Sequence, residues 1–163
     1  MTRTSDPIER AGTRMTQGMS DAIVVREMQP DEEPIVESHR RASLDEALRY
    51  RGGERYARGA LDASAAHAVQ VTFVAQFRSS IIGSLRAHQA TAGEWLIDHV
   101  HVIEGAREAG AGDALMDALV ARLRSHGARW LGALALPGDR ETKNLYERQG
   151  MSARLIEVGR SLD

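Results

Sequence analysis

From residue 22 onward, apolar positions recur either every second residue or every third to fourth, and the two periods separate strands from helices. Ala22–Met28 (AIVVREM) reads as a first strand. Pro30 with Asp31, Glu32 and Glu33 opens a helix, with proline in the first turn and acids facing the positive end of the dipole. That helix extends to Ser38 or beyond. Further helical stretches are predicted over Asp45–Tyr50 and Glu54–Leu61, broken at Gly52-Gly53. Val69, Val71, Phe73, Ala75 and Phe77 then fall on one face of a strand. Arg78-Ser79-Ser80 turns the chain into Ile81–His88 to complete a hairpin. After Thr91-Ala92-Gly93, Trp95–Ile103 forms a third antiparallel member.

The period then lengthens. Leu115, Leu119 and Leu123, spaced by four with Met116 and Val120 beside them, make one apolar stripe on a helix over Gly110–His126, and Gly127 sits in the C′ position. Trp130–Leu136 is a continuous apolar run, as a buried strand would be. Pro137-Gly138 ends it, Glu141–Gln149 is helical up to Gly150, and Met151–Val158 offers a last strand. The pattern describes one mixed α/β domain over 21–163, preceded by a polar stretch, 1–20, expected to be a disordered leader.

Composition narrows the function classes. The 163 residues are 42% apolar and 27% charged with a net charge of -2, a globular balance with no excess of positive charge for nucleic acid or acidic membranes. No cysteine is present, which excludes disulfides and thiol catalysis and fits a cytoplasmic protein. No run is long enough to span a bilayer. Lys143 is the only lysine among many arginines and alanines, the usage of a high-GC bacterial genome.

The segment Arg107-Glu108-Ala109-Gly110-Ala111-Gly112 lies between a strand and a helix. Free N–H groups at a helix start, glycines that admit close approach and an arginine make a cradle for a pyrophosphate. Gly-Ala-Gly before a helix also serves as plain turn chemistry. No Gly-Lys-Ser/Thr follows, and Leu115 stands where a dinucleotide fingerprint needs its third glycine.

Leu145-Tyr146-Glu147-Arg148-Gln149-Gly150-Met151 adds a second motif. With Arg107, Gly110 and Gly112 after the strand carrying Val100 and Val102, the chain resembles the GNAT N-acetyltransferases, most specifically over Ile97–Met151. It departs from the family at Asp139, where Asn is common, at Thr142, where a small residue is usual, and at Met151, where Phe is usual. The resemblance implies a mostly antiparallel sheet of six to seven strands flanked by helices, with splayed central strands. It implies acetyl-CoA as cosubstrate, its pantetheine along the backbone of Val100, His101 and Val102. Arg107 and the loop from Glu108 through Ala109, Gly110, Ala111 and Gly112 to Asp113 would hold its pyrophosphate, with Asp139 nearby. An amine, small molecule or peptide, would attack the thioester directly, with a backbone N–H near Val102 stabilising the oxyanion. Tyr146 would protonate the leaving thiolate. Asp98 would take the amine's proton, directly or through water, and a homodimer is one admissible assembly.

Each assignment has a plainer counterpart. Tyr146 could simply pack at a helix end, and Asp98 could simply pair nearby. A non-catalytic acyl-CoA-binding sensor or assembly module would need neither. His99 and His101 project from the side of their strand opposite to Asp98 under strict alternation. No third ligand is evident, so a packed or surface pair is expected and no metal. Arg49, Arg51, Arg55 and Arg58, with Tyr50 and Tyr56, could recognise an acidic acceptor. Asp45, Glu46 and Glu54 among them favour a solvated, partly neutralised face.

Overall fold

The structure is a computed structural model and describes residues 23–63 and 69–160. The leader expected over 1–20 lies outside the described residues, as does Ala22 of the first predicted strand. Strand β1 is Ile23–Glu27. A 3-10 turn at Pro30–Glu32 leads into α1, Glu33–Ala47. The predicted separate helix from Asp45 is therefore the end of α1 followed by turns. Helix α2 is Gly53–Ala63. The hairpin follows as β2, Gln70–Phe77, and β3, Ser80–Thr91, and β4 is Glu94–Val102. A 3-10 turn at Glu104–Ala106 precedes α3, Ala111–Ser125. Strand β5 is Trp130–Gly132 and α4 is Arg140–Arg148.

The strands form one sheet in the order β1-β2-β3-β4-β5, antiparallel except for the parallel β4–β5 pair. The leucine stripe of α3 covers one face: Leu115, Met116 and Leu119 are fully buried and pack with Phe73, Ala75, Leu85, Ala87 and Ile97. Helix α1 packs on β3 and β4, and Val36, His39, Leu44 and Ala47 are its buried positions. Gly127, at φ 73°, ends α3 in a Schellman motif. Its N–H reaches Arg124 O at 3.1 Å, and Ala128 N–H reaches Leu123 O at 3.0 Å. Among the described residues no helix is long and apolar enough to cross a membrane.

Two expectations are corrected. The sheet has five strands among the described residues, not six to seven, because Met151–Val158 forms none. Met151, Ala153 and Leu155 alternate with polar residues, but Ile156 breaks the period, and no partner covers the segment's apolar side: Leu155, Ile156 and Val158 are exposed at 94%, 89% and 88%. An Arg55–Glu157 ion pair of 2.9 Å ties the segment toward α2. The buried strand expected over Trp130–Leu136 shrinks to three residues, with Trp130 and Leu134 exposed. Its ladder stops at Leu96↔Gly132. There the β3–β4 register slips: Ala87 pairs with Ile97 but Arg86 pairs with His99, so Asp98 is an extra, bulged residue. A bulge bends and twists its strand, and β4 leaves β5 at that point.

Candidate active site

The separation of β4 from the chain beyond β5 opens a cleft. Its walls include Val100 and His99 from β4, Leu134 and Leu136 after β5, Tyr56 from α2 and Tyr146 from α4. Arg107, Asp139 and Thr142 also line it.

The N-terminus of α3 lies beside the end of β4. Gly110 is its N-cap at φ 87°, a left-handed conformation that glycine adopts without strain. Glu108, at φ 64°, adopts it without that freedom. The first helical bond runs from Ala114 N–H to Gly110 O at 3.0 Å. The N–H groups of Ala111, Gly112 and Asp113 therefore have no intrahelical partner. Ala109 N–H is directed to Ala106 O at 3.4 Å. A Cβ on Gly112 would stand 3.4 Å from Leu145 Cδ1, so glycine there lets α3 and α4 approach. Asp113 forms two 3.0 Å bonds with the Arg148 guanidinium.

Arg107 spans this region. Its Nε donates to Val102 O at 3.1 Å, and its terminal nitrogens pair with Glu46 of α1 and, at 3.4 Å, Glu141 of α4. Asp139 caps α4, accepting the Thr142 N–H at 3.1 Å. The residue expected beside the cofactor thus also holds the helix that carries Tyr146.

The second sequence motif has a backbone explanation. Gly150, at φ 76°, is the C′ residue of α4. Gly150 N–H reaches Glu147 O, and Met151 N–H reaches Tyr146 O, both at 3.0 Å. This Schellman closure packs an apolar residue after the glycine against the helix's last turn, and Met151 accordingly packs on the core that includes Leu145 and Tyr146. The motif fixes Tyr146 at the cleft. Tyr146 is 8% exposed, and burial, with Tyr56 and Asp139 nearby, pushes its phenol well above the usual range. It therefore enters any reaction near neutral pH in its protonated form.

The bulge revises the facing of Asp98. Its Oδ1 lies 2.6 Å from His88 Nδ1, while His99 Nε2 lies 3.1 Å from Ser84 Oγ. Ser84 and His88 are four apart on β3 and share a face. Asp98 and His99 therefore sit on the same side of β4, not on opposite sides as strict alternation implied. Tyr56 OH is 3.5 Å from Asp98 O.

His99 and His101 are both buried, toward α1. Ser84 Oγ is also 3.1 Å from His39 Nδ1, and the His39 and His101 rings are 5.2 Å apart. Burial, reinforced by Arg86, His101, His39 and Arg40, drives the His99 ring down from 6.5 to about 3. Burial also lowers His39 and His101. His101 can thus serve a cofactor only through its backbone. No group of three metal-ligating side chains occurs among the described residues. Of the arginine cluster, Arg49 lines the cleft with Tyr50 and Tyr56, whereas Arg55 pairs with Glu157. Sequence reasoning missed Ser84, His39 and His88, which no local motif announces.

Residues 28–151 match the acetyltransferase (GNAT) family model. No curated protein matches the chain. Among solved structures, the Bacillus subtilis protein YycN aligns with a TM-score of 0.65 at 18% identity, over 86% of this chain and 98% of its own. An aminoglycoside acetyltransferase from an uncultured soil metagenomic sample, solved with sisomicin, gives 0.64 at 13% identity over 89% and 99%. A Clostridium acetobutylicum protein solved with acetyl-CoA gives 0.59 at 14% identity over 84% and 96%. At these identities the likeness is one of fold.

Proposed function

The chain belongs to the GNAT acetyltransferase family, and from that premise we propose that it transfers an acetyl group from acetyl-CoA to a primary amine by direct attack. The observation that carries the reading is the cleft where β4 leaves β5, with the free N-terminus of α3 beside it and a buried, protonated Tyr146 in its wall. A non-catalytic acyl-CoA-binding domain would need the α3 terminus but not a tyrosine locked into the cleft by a helix-closing motif.

The residues fit the cosubstrate. The N–H groups of Ala111, Gly112 and Asp113 present an anion site at the positive end of α3. Arg107, at the mouth of that loop, adds a guanidinium once it exchanges Glu46 and Glu141 for phosphate oxygens. The backbone of Val100–Val102, beyond the end of the β4–β5 ladder, is available to the pantetheine and to the developing oxyanion. Acetyl-CoA supplies the activated acetyl group. Tyr146 gives its proton to the departing sulfur.

For the amine's proton, the bulge of β4 offers two groups. Asp98, held by His88, is the acceptor the strand position suggests, and His99 lines the cleft beside it. The carboxylates Glu46, Asp139 and Glu141 around the cleft suit a cationic acceptor, and an aminoglycoside-type polyamine, as in the sisomicin-bound relative, is the first class to screen. The test is CoA release over a panel of aminoglycosides, alkyl amines and peptide N-termini. Binding of acetyl-CoA without turnover on any amine class would leave the binding-domain reading standing and sink this one.

A further inference from the structure

Beside the cleft, β4 and β5 carry apolar side chains that the helices leave uncovered. Trp95 and Leu131 are paired across the two strands and pack on the α3 side of the sheet. Their neighbours Leu96, Trp130 and Gly132 therefore face the other side, the one on which α1 packs. Leu96 and Trp130 are 40% and 49% exposed there. Both side chains lean over Gly132. A Cβ on that glycine would stand 2.7 Å from Leu96 Cδ2 and 3.3 Å from Trp130 Nε1, so a side chain at 132 would push them aside. Two residues on, Leu134 is 70% exposed and lines the cleft with Leu136, Tyr50 and Tyr56. An apolar ledge thus runs from the last β4–β5 pair, Leu96↔Gly132, to the cleft wall.

We propose that this ledge receives the body of the acceptor: the amine is borne on an aromatic or branched alkyl group that lies on Leu96, Trp130 and Leu134. The inference rests on the acetyl-transfer reading and narrows its acceptor class. The charge of the cleft sets the direction. Glu46, Asp139 and Glu141 line it, so the ammonium end turns into the cleft and the uncharged end rests on the ledge. A few charged groups beside apolar and aromatic walls is the usual make-up of a small-molecule site, and Tyr50, Tyr56 and Trp130 offer ring contacts to an aromatic body. A polyhydroxylated amine would lose water from its hydroxyls against Leu96 and Trp130 without regaining hydrogen bonds.

The ledge is of ligand size. Three part-exposed side chains offer on the order of 300 Å². A stable protein interface takes about 800 Å² from each partner, so these residues alone do not make a dimer face.

The test is CoA release with 2-phenylethylamine, ethanolamine and sisomicin for the wild type, Trp130→Ala and Leu134→Ala, with melting curves alongside. The first two amines share a primary amino group and differ in the apolar body. The wild type should favour 2-phenylethylamine over ethanolamine by about tenfold or more in kcat/KM. Trp130→Ala should cut that preference about tenfold, chiefly through KM for the amine, with acetyl-CoA affinity unchanged by calorimetry. Leu134→Ala should act in the same direction, and it carries the test should Trp130→Ala melt early. With CoA bound, 2-phenylethylamine should shift the tryptophan emission of the wild type but not of Trp130→Ala. Equal efficiency with 2-phenylethylamine and ethanolamine would overturn the proposal, as would sisomicin as the better substrate or a preference unmoved in both variants. A dimer in sedimentation that dissociates in Trp130→Ala would assign the ledge to a second copy and overturn it too. No CoA release from any amine removes the acetyl-transfer reading itself, whereas release without the phenyl preference removes only the ledge.

Discussion

Acidification should destabilise this protein before its carboxylates titrate, and His99 sets the size of the effect. The folded ring has its pKa near about 3 against an ordinary 6.5. Between those values the unfolded chain binds a proton that the folded chain does not. Stability therefore rises with pH across this window, is fully present above 6.5, and is lost as pH falls toward 3. A full pH unit inside the window is worth about 1.4 kcal/mol per group, but at pH 6.5 half of the unfolded rings already carry the proton, so lowering the pH from 6.5 to 4.5 costs about 2 kcal/mol from His99 alone. His39 and His101 are shifted the same way by burial and add to the loss. Glu32 and Glu37, held down to about 2 by Arg26 and Arg40, keep their contributions until the pH drops below the ordinary carboxylate range. The interval 6.5 to 4.5 thus isolates the imidazoles. In a chain of this length about 2 kcal/mol corresponds to about 4–8 °C in Tm. The assay is thermal unfolding at half-unit pH steps for the wild type and for His99→Gln, whose amide occupies the Nε2 position without titrating. The wild type should show the drop and the variant a distinctly shallower one. A flat wild-type Tm across the window, or an unchanged slope in His99→Gln, would refute the reasoning.

Tyr146→Phe should lower kcat by about ten- to a thousandfold, within or just below the usual range for a general acid, with acetyl-CoA affinity unchanged by calorimetry; equal turnover would leave the tyrosine a packing role. Arg107→Ala should weaken CoA binding, and Gly112→Asp should nearly abolish it, by adding an anion at the α3 terminus and bulk where a Cβ already stands 3.4 Å from Leu145; calorimetry checks both. Asp139→Ala should cost about 1 kcal/mol in unfolding free energy by removing the α4 cap, whereas Asp139→Asn should keep the cap and tighten acetyl-CoA binding by removing a negative charge from the cleft.

The parts of the molecule legible in the sequence are those specified locally. The α3 stripe is visible because Leu115, Leu119 and Leu123 repeat at the helical period and all three are buried. Gly127 and Gly150 announce helix ends because a left-handed residue is needed there, and Gly150 carries with it the placement of Tyr146. The loop proposed to hold the pyrophosphate is readable because the backbone N–H groups it would offer follow from glycine and a helix start. The end of β5 was not legible. Trp130–Leu136 is apolar throughout, yet how far it pairs depends on where β4 turns away, which is set by a bulge more than thirty residues earlier.

The same bulge explains why the chemistry of β4 could not be read from alternation. A period of two assigns Asp98 and His99 to opposite faces, and every inference about which of them meets the substrate inherits that assignment. One extra residue between Ile97 and His99 breaks the rule, since two residues of β4 then oppose one of β3. The consequence is chemical as well as geometric. With both side chains on the α1 side, Asp98 finds His88 and His99 finds Ser84, and the Ser84 link extends to His39, 45 positions away in sequence. No local pattern could signal that chain, because its members belong to α1, β3 and β4 and are joined only when α1 packs over the sheet. A single insertion in the ladder therefore does three things at once: it ends the β4–β5 pairing, opens the cleft, and places a buried imidazole in the wall of that cleft.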